Sequence, residues 1–197
     1  MEPFTPRQSE IVHAAIRIIA EKGIQELTTK NLAERVGISE PALYRHFRNK
    51  TAILKGILDF FRERSVGIFE RIILREPAGK ARLAAAVREH CRHLAKNPAF
   101  SAVVFSEVIF RSEWELAPGV EGLMSAARKN LSDILAGGVE AGAFRRDIPV
   151  EHMVLVVMGA LRLLTTRWHL TGYGFDLAAE GDALAGSLVR LLGSPKG

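Results

Sequence analysis

The densest chemistry in the chain lies between Tyr44 and Lys50. Arg45, His46, Arg48 and Lys50 follow one another there with a tyrosine just ahead and no acid interrupting. Guanidinium, ammonium, imidazole and phenol donors in such a run suit a phosphate backbone, where Arg, Lys and Tyr contacts set register. A run of charge is most often a solvated face, so the residues around it decide the matter. Just before it, Pro41 and Ala42 bring small side chains onto the same short segment, beside the acid Glu40. Small residues let a helix come close to base edges, and Tyr44 can reach both phosphate and a thymine methyl group.

The local pattern positions these groups. Thr28 can cap a helix in which Leu32, Ala33 and Val36 form an apolar stripe with Lys30, Glu34 and Arg35 outside it. Gly37 follows, where a left-handed helix end favours glycine. Ser39 can cap the next helix, expected to be about two turns long, with Pro41 in its first turn. Leu43 and Phe47 are spaced to pack on Leu32 and Val36, and Asn49 can cap a third helix carrying Ile53, Leu54, Ile57, Leu58 and Phe61 on one face. Two short helices joined through a glycine make a helix-turn-helix.

These residues resemble a known family. Thr28-Thr29, Leu32-Ala33, Gly37-Ile38-Ser39, Leu43-Tyr44-Arg45-His46-Phe47, Asn49-Lys50 and Leu54 are similar to the DNA-binding domain of TetR-family transcriptional repressors. The likeness covers roughly residues 5 to 60 and is architectural beyond. It implies an all-α fold of about nine helices and no enzyme activity. Residues 1–50 would form the DNA-binding domain, with a linking helix at about 50–75, and 51–197 a C-terminal ligand-binding and dimerisation domain. Carried over residue by residue, it puts Glu40, Pro41, Ala42 and Tyr44 at bases. Thr29, Tyr44, His46 and Lys50 fall at phosphates, and Lys30 at a base in some members. Ser39 and Arg45 complete the expected DNA-binding set. Glu40 departs from what phosphate tolerates: it must accept from a cytosine amino group or turn away.

Composition sets the bounds. The chain has 197 residues, 48% of them hydrophobic, and a net charge of +5. A single cysteine, Cys91, excludes an intrachain disulfide and fits a reducing compartment. The polar start carries no secretory run, and the apolar stretch Met153–Leu161 is stopped by Arg162, short of the roughly 20 residues a bilayer needs. A soluble, cytoplasmic protein with no membrane partner is the expectation.

The remaining elements read as helices. Thr5-Pro6-Arg7-Gln8 has the form of a capping box ahead of a helix that ends at Gly23. Further helices are expected over roughly 80–96, 99–111, 120–141, 149–170 and 176–192, with a loop around Ala117-Pro118-Gly119. The last two are apolar around most of their circumference, which demands burial on several sides. With the resemblance, this points to a homodimer.

Other chemistry is sparse. His90, Cys91 and His93 fall short of a zinc set, since a zinc site needs three or four ligands and Cys91 lies on the stripe with Val87 and Leu94. No metal or cofactor is expected. There is no phosphate-cradling glycine loop, nucleophile elbow or HExxH pattern. For a small-molecule effector the resemblance gives only a place, among the C-terminal helices. The candidates are Phe100, Val104, Phe105, Val108, Trp114, Met124, Leu161, Arg162 and Trp168, with Arg162 the cation for a hydrophobic acid. The expected function is a repressor, released by that effector from a palindromic operator in double-stranded DNA. The alternative is a similar DNA-binding architectural or partner-controlled factor without an inducer.

Overall fold

The computed structural model describes residues 4–98 and 116–194, apart from the side chains of 64–70, 73–74 and 120. The described residues form eight α-helices and one 3-10 turn. The helices are α1 (Pro6–Lys22), α2 (Thr29–Val36), α3 (Glu40–Tyr44), α4 (Lys50–Arg75), α5 (Lys80–Lys96), α6 (Ala117–Glu140), α7 (Val150–Leu170) and α8 (Leu177–Leu192). The 3-10 turn spans Ile24–Glu26. Extended pairing among the described residues is limited to an isolated bridge between Phe144 and Gly193. The helix expected at 99–111 lies outside the described residues.

Two compact units divide the chain. One comprises Met1–Arg64 with Pro98–Leu123, the other Ser65–Asn97 with Met124–Gly197. In the first, α1 buries Ile11, Val12, Ala15, Ile18 and Ile19, and α4 buries Ile53, Leu54, Ile57, Leu58 and Phe61. The apolar spacing read from the sequence therefore falls on the inner faces of both helices. Thr5 and Gln8 complete the capping box: Gln8 N–H donates to Thr5 Oγ1 at 3.2 Å and Thr5 N–H to Gln8 Oε1 at 3.0 Å.

In the second unit α5 packs along α8. Leu83, Val87, Cys91 and Leu94 supply the buried side of α5; Leu177, Gly181, Ala185, Leu188 and Leu192 supply that of α8. The helices meet most closely at Gly181, where an added Cβ would lie 2.4 Å from Cys91 Cβ and 2.7 Å from its Sγ. Burial pushes the Cys91 thiol up to about 11, with Asp182 contributing further. Asp182 also receives Arg92 Nη2 at 3.2 Å and Arg88 Nε at 3.4 Å. With all three side chains about half exposed, these pairs orient the helices more than they stabilise them.

Helix α6 begins at Ala117, where the sequence suggested a loop. Proline breaks helices only in their interiors. In the first turn its missing N–H removes no bond, so Pro118 opens the helix. Helix α7 buries Met153, Val154, Val157, Leu161, Thr165 and Trp168. It leaves Leu155 at 65%, Leu163 at 70% and Leu170 at 79% exposure. The bilayer expectation needs correcting here. Judged over all of Val150–Leu170, α7 is long and apolar enough to cross a membrane, because the hydrophobic character resumes after Arg162. Its other side, however, is committed to the core of this unit.

Filling the gap at Gly181 overpacks the α5–α8 contact, so Gly181→Ala costs about 1–3 kcal/mol in urea unfolding. Gly186 on the same helix has its nearest neighbour, Arg190 Nη1, at an ordinary 3.5 Å. Gly186→Ala therefore stabilises by about 0.5–1 kcal/mol in the same measurement.

Candidate nucleic-acid interface

The α2–turn–α3 segment is built from backbone groups that find partners locally. Thr28 Oγ1 accepts from Asn31 N–H at 3.1 Å and starts α2. At its other end Gly37 adopts φ +73°. Ile38 N–H then donates back to Ala33 O at 3.0 Å and Gly37 N–H to Glu34 O at 3.2 Å. This is a Schellman closure, which ties up the last carbonyls and turns the chain sharply. Ser39 Oγ accepts from Ala42 N–H at 3.3 Å to start α3, and Asn49 Oδ1 accepts from Ala52 N–H at 2.8 Å to start α4. All three caps stand where the sequence placed them.

Helix α3 is shorter than the two turns expected. It runs from Glu40 to Tyr44, five residues in all. Arg45 keeps helical angles, and His46 and Phe47 N–H groups both donate to Leu43 O, at 3.0 and 3.1 Å. The chain therefore coils on without a further full turn. Leu43 and Phe47 are anchored inward at 0% and 6% exposure, and Leu32 and Val36 of α2 are likewise buried. Gln8 reaches from α1 to the end of this coil, its Nε2 donating to His46 O at 3.2 Å. That tie was invisible in the sequence, where the pair stands 38 residues apart.

The burial of one side leaves the other open. Tyr44 is 47% exposed. Lys30, Ser39, Pro41, Arg45 and Arg48 are exposed, while Thr29, Glu40, Ala42, His46 and Lys50 are half-buried. Among the described residues no ion pair neutralises Arg45, Arg48 or Lys50. The cluster is therefore neither sequestered nor internally compensated, as a bundle without DNA contacts would require. One contact reorganises the expected roles. Thr29 Oγ1 donates to Glu40 Oε2 at 2.6 Å, between the first residues of α2 and α3. A hydroxyl carries a single proton, so while this bond stands the Thr29 side chain has no donor for phosphate, and only its backbone N–H at the start of α2 remains to make that contact.

Four of the effector candidates fall among the described residues. Phe100, Val104, Phe105, Val108 and Trp114 lie outside the described residues. Leu161 and Trp168 are buried on the inner side of α7, and Trp168 Nε1 donates to Phe175 O at 3.0 Å. Arg162 and Met124 are exposed instead. Arg162 follows Leu161 directly, and a turn of about 100° per residue carries it out of the buried sector. A cleft of about 440 Å³ does occur in the first unit, lined by Glu10, His13, Ala14, Arg17, Arg35 and Val36. No pattern along the chain announces it, because its walls come from two helices. Near His90, burial and the neighbouring His93 push the imidazole down to about 4. Among the described residues no three His, Cys, Asp or Glu side chains converge enough to hold a metal ion.

Residues 11–57 match the model of bacterial regulatory proteins of the tetR family, and residues 80–183 that of the tetracyclin repressor-like C-terminal domain. The chain belongs to the TetR family. As a TetR-family member it is a DNA-binding transcriptional regulator, and the α2–α3 unit falls within the first matched segment. A similar protein is the fatty acid metabolism regulator of Bacillus subtilis, 25% identical over 195 residues, or 98% of this chain and 96% of that one. The structure of the fatty acid degradation regulator FadR from Bacillus halodurans has the same fold. Its TM-score is 0.85 at 21% identity, covering 95% of this chain and 97% of that one. FadR from Bacillus subtilis in complex with stearoyl-CoA also shares the fold. Here the TM-score is 0.78 at 24% identity, with 96% of this chain and 99% of that one covered.

Proposed function

We propose that this TetR-family regulator is a homodimeric repressor that a long-chain acyl thioester releases from a palindromic operator. The observation that carries the DNA-reading part is the solvent-facing, uncompensated set Tyr44, Arg45 and Arg48, with His46 and Lys50 half-buried beside it, on a rigidly capped turn. Tyr44, Arg45, His46 and Lys50 serve as backbone contacts around a reading face of Lys30, Ser39, Glu40, Pro41 and Ala42. Residues 1–50 act as the DNA-binding domain, and the rest of the chain carries the effector and dimer functions. Neutralised phosphates release counterions, so affinity falls steeply with salt.

Dimerisation is supported by the outer side of α7. Leu155, Gly159, Leu163 and Leu170 recur at near-helical spacing and are all exposed, as are Ala183, Ser187 and Leu191 on α8. Leucines beside small residues form a surface that helices of a second copy can approach closely. Two reading units on one dimer would engage half-sites about 34–36 Å apart, one helical turn of DNA or a multiple of it. The effector class is inferred from the Bacillus subtilis relative, whose FadR is described with stearoyl-CoA. Coupling of about 1–3 kcal/mol between effector and operator sites gives a 5–150-fold change in operator affinity.

Three measurements test this reading. Leu155→Glu with Leu163→Glu converts the dimer to a monomer in sedimentation and abolishes tight operator binding. Tyr44→Ala and Lys50→Ala each weaken binding about tenfold with the dimer intact, and Lys50→Ala also lowers the salt slope by about one. Stearoyl-CoA added to the operator complex lowers affinity at least fivefold. Unchanged binding in both single variants removes the site assignment, and indifference to stearoyl-CoA removes the effector class.

A further inference from the structure

Glu40 is the anomaly of the reading face. It is an acid at the first position of α3, on a surface that otherwise offers cations and small residues toward DNA. A carboxylate is repelled by phosphate, and it is repelled equally by the O6 and N7 acceptors of guanine and the O4 of thymine. Left mobile, it could swing aside and read nothing. It is not left mobile, because Thr29 Oγ1 donates to Glu40 Oε2 at 2.6 Å. The short, β-branched threonine has few rotamers, and it is fixed at the first turn of a capped helix. One carboxylate oxygen is thereby pinned, and Oε1 accepts no hydrogen bond among the described residues.

We propose that Thr29 is a positioning residue that holds Glu40 as a fixed acceptor, and that each half-site presents a cytosine amino group to it. The inference rests on the reading of α2–α3 as the DNA-reading unit. Cytosine follows from groove chemistry. Its N4 amino group is a donor with no acceptor of the same base beside it, whereas the N6 donor of adenine stands next to the N7 acceptor. The same geometry makes the carboxylate a rejecting group. A guanine or thymine there leaves a partly desolvated acid facing acceptors, so selectivity comes from repulsion as much as attraction. The Thr29 hydroxyl in this role makes no phosphate contact, since its one proton is spent on Glu40.

The experiment is selection from random-sequence duplex DNA at fixed salt, run in parallel on the wild-type chain, Glu40→Ala, Glu40→Gln, Thr29→Val and Thr29→Ser. Affinities are then measured on the selected operator and on its single-base variants. Thr28 and not Thr29 supplies the α2 cap, so Thr29→Val keeps the fold, checked by circular dichroism. The wild type fixes cytosine at one position per half-site, and replacing it costs about tenfold. Glu40→Ala and Thr29→Val lose that one preference and keep the rest of the motif, while Thr29→Ser retains it. Glu40→Gln moves the position toward adenine, because a carboxamide pairs with N6 and N7 together. Any other base selected there by the wild type, or an unchanged motif in Glu40→Ala, overturns the proposal. A motif unchanged in Thr29→Val overturns the positioning role. A wild-type chain that enriches no sequence at all overturns instead the DNA-reading assignment beneath it.

Discussion

Five residues cannot hold a helix together on their own. Nucleating a helical turn fixes several dihedral angles for one hydrogen bond, and short isolated helices in water do not recover that cost. Helix α3 persists because Leu43 is wholly buried and Phe47 nearly so, and because Ser39 caps its start while the His46 and Phe47 N–H groups bond Leu43 O at its end. Its orientation is thus set by burial of its inner side. Everything on its outer side inherits that orientation, including the direction in which Tyr44 and Arg45 project.

The same constraint explains why polar residues here work in pairs across elements. Gln8 closes the cap of α1 and then spends its amide on His46 O, so the start of the chain steadies the end of the reading helix. Thr28 and Thr29 are neighbours with different duties: the first caps α2, and the second bonds the acid of α3. In the other unit, Asp182 of α8 gathers two arginines from α5 while Gly181 lets the two helices close on each other. Thr28 and Thr29 divide the local and the long-range task between neighbours, whereas Gln8 performs both itself.

Local chemistry was therefore legible and cross-element chemistry was not. Thr5, Thr28, Ser39, Asn49 and Gly37 could be assigned from a few residues of context, because a cap involves only the turn it closes. The ends of α5 could be read because apolar spacing and the following Asn97-Pro98 agree. Pro118 misled because proline says that a helix does not pass through it, and does not say whether one begins there. The length of α3 and the outward placement of Arg162 depend on which side is buried, a property of the packed molecule. The Thr29–Glu40 bond joins residues eleven positions apart on separate helices, beyond any spacing rule.

The Gly181 contact has a practical side. It seals the sole thiol of the chain between two helices, fully buried and protonated far above neutral pH. Thiolate is the species that alkylating and oxidising reagents attack, so the folded protein is chemically silent toward them. A cysteine engineered onto the surface would consequently be the only one to take up a fluorophore or spin label, with no need to remove the native residue first.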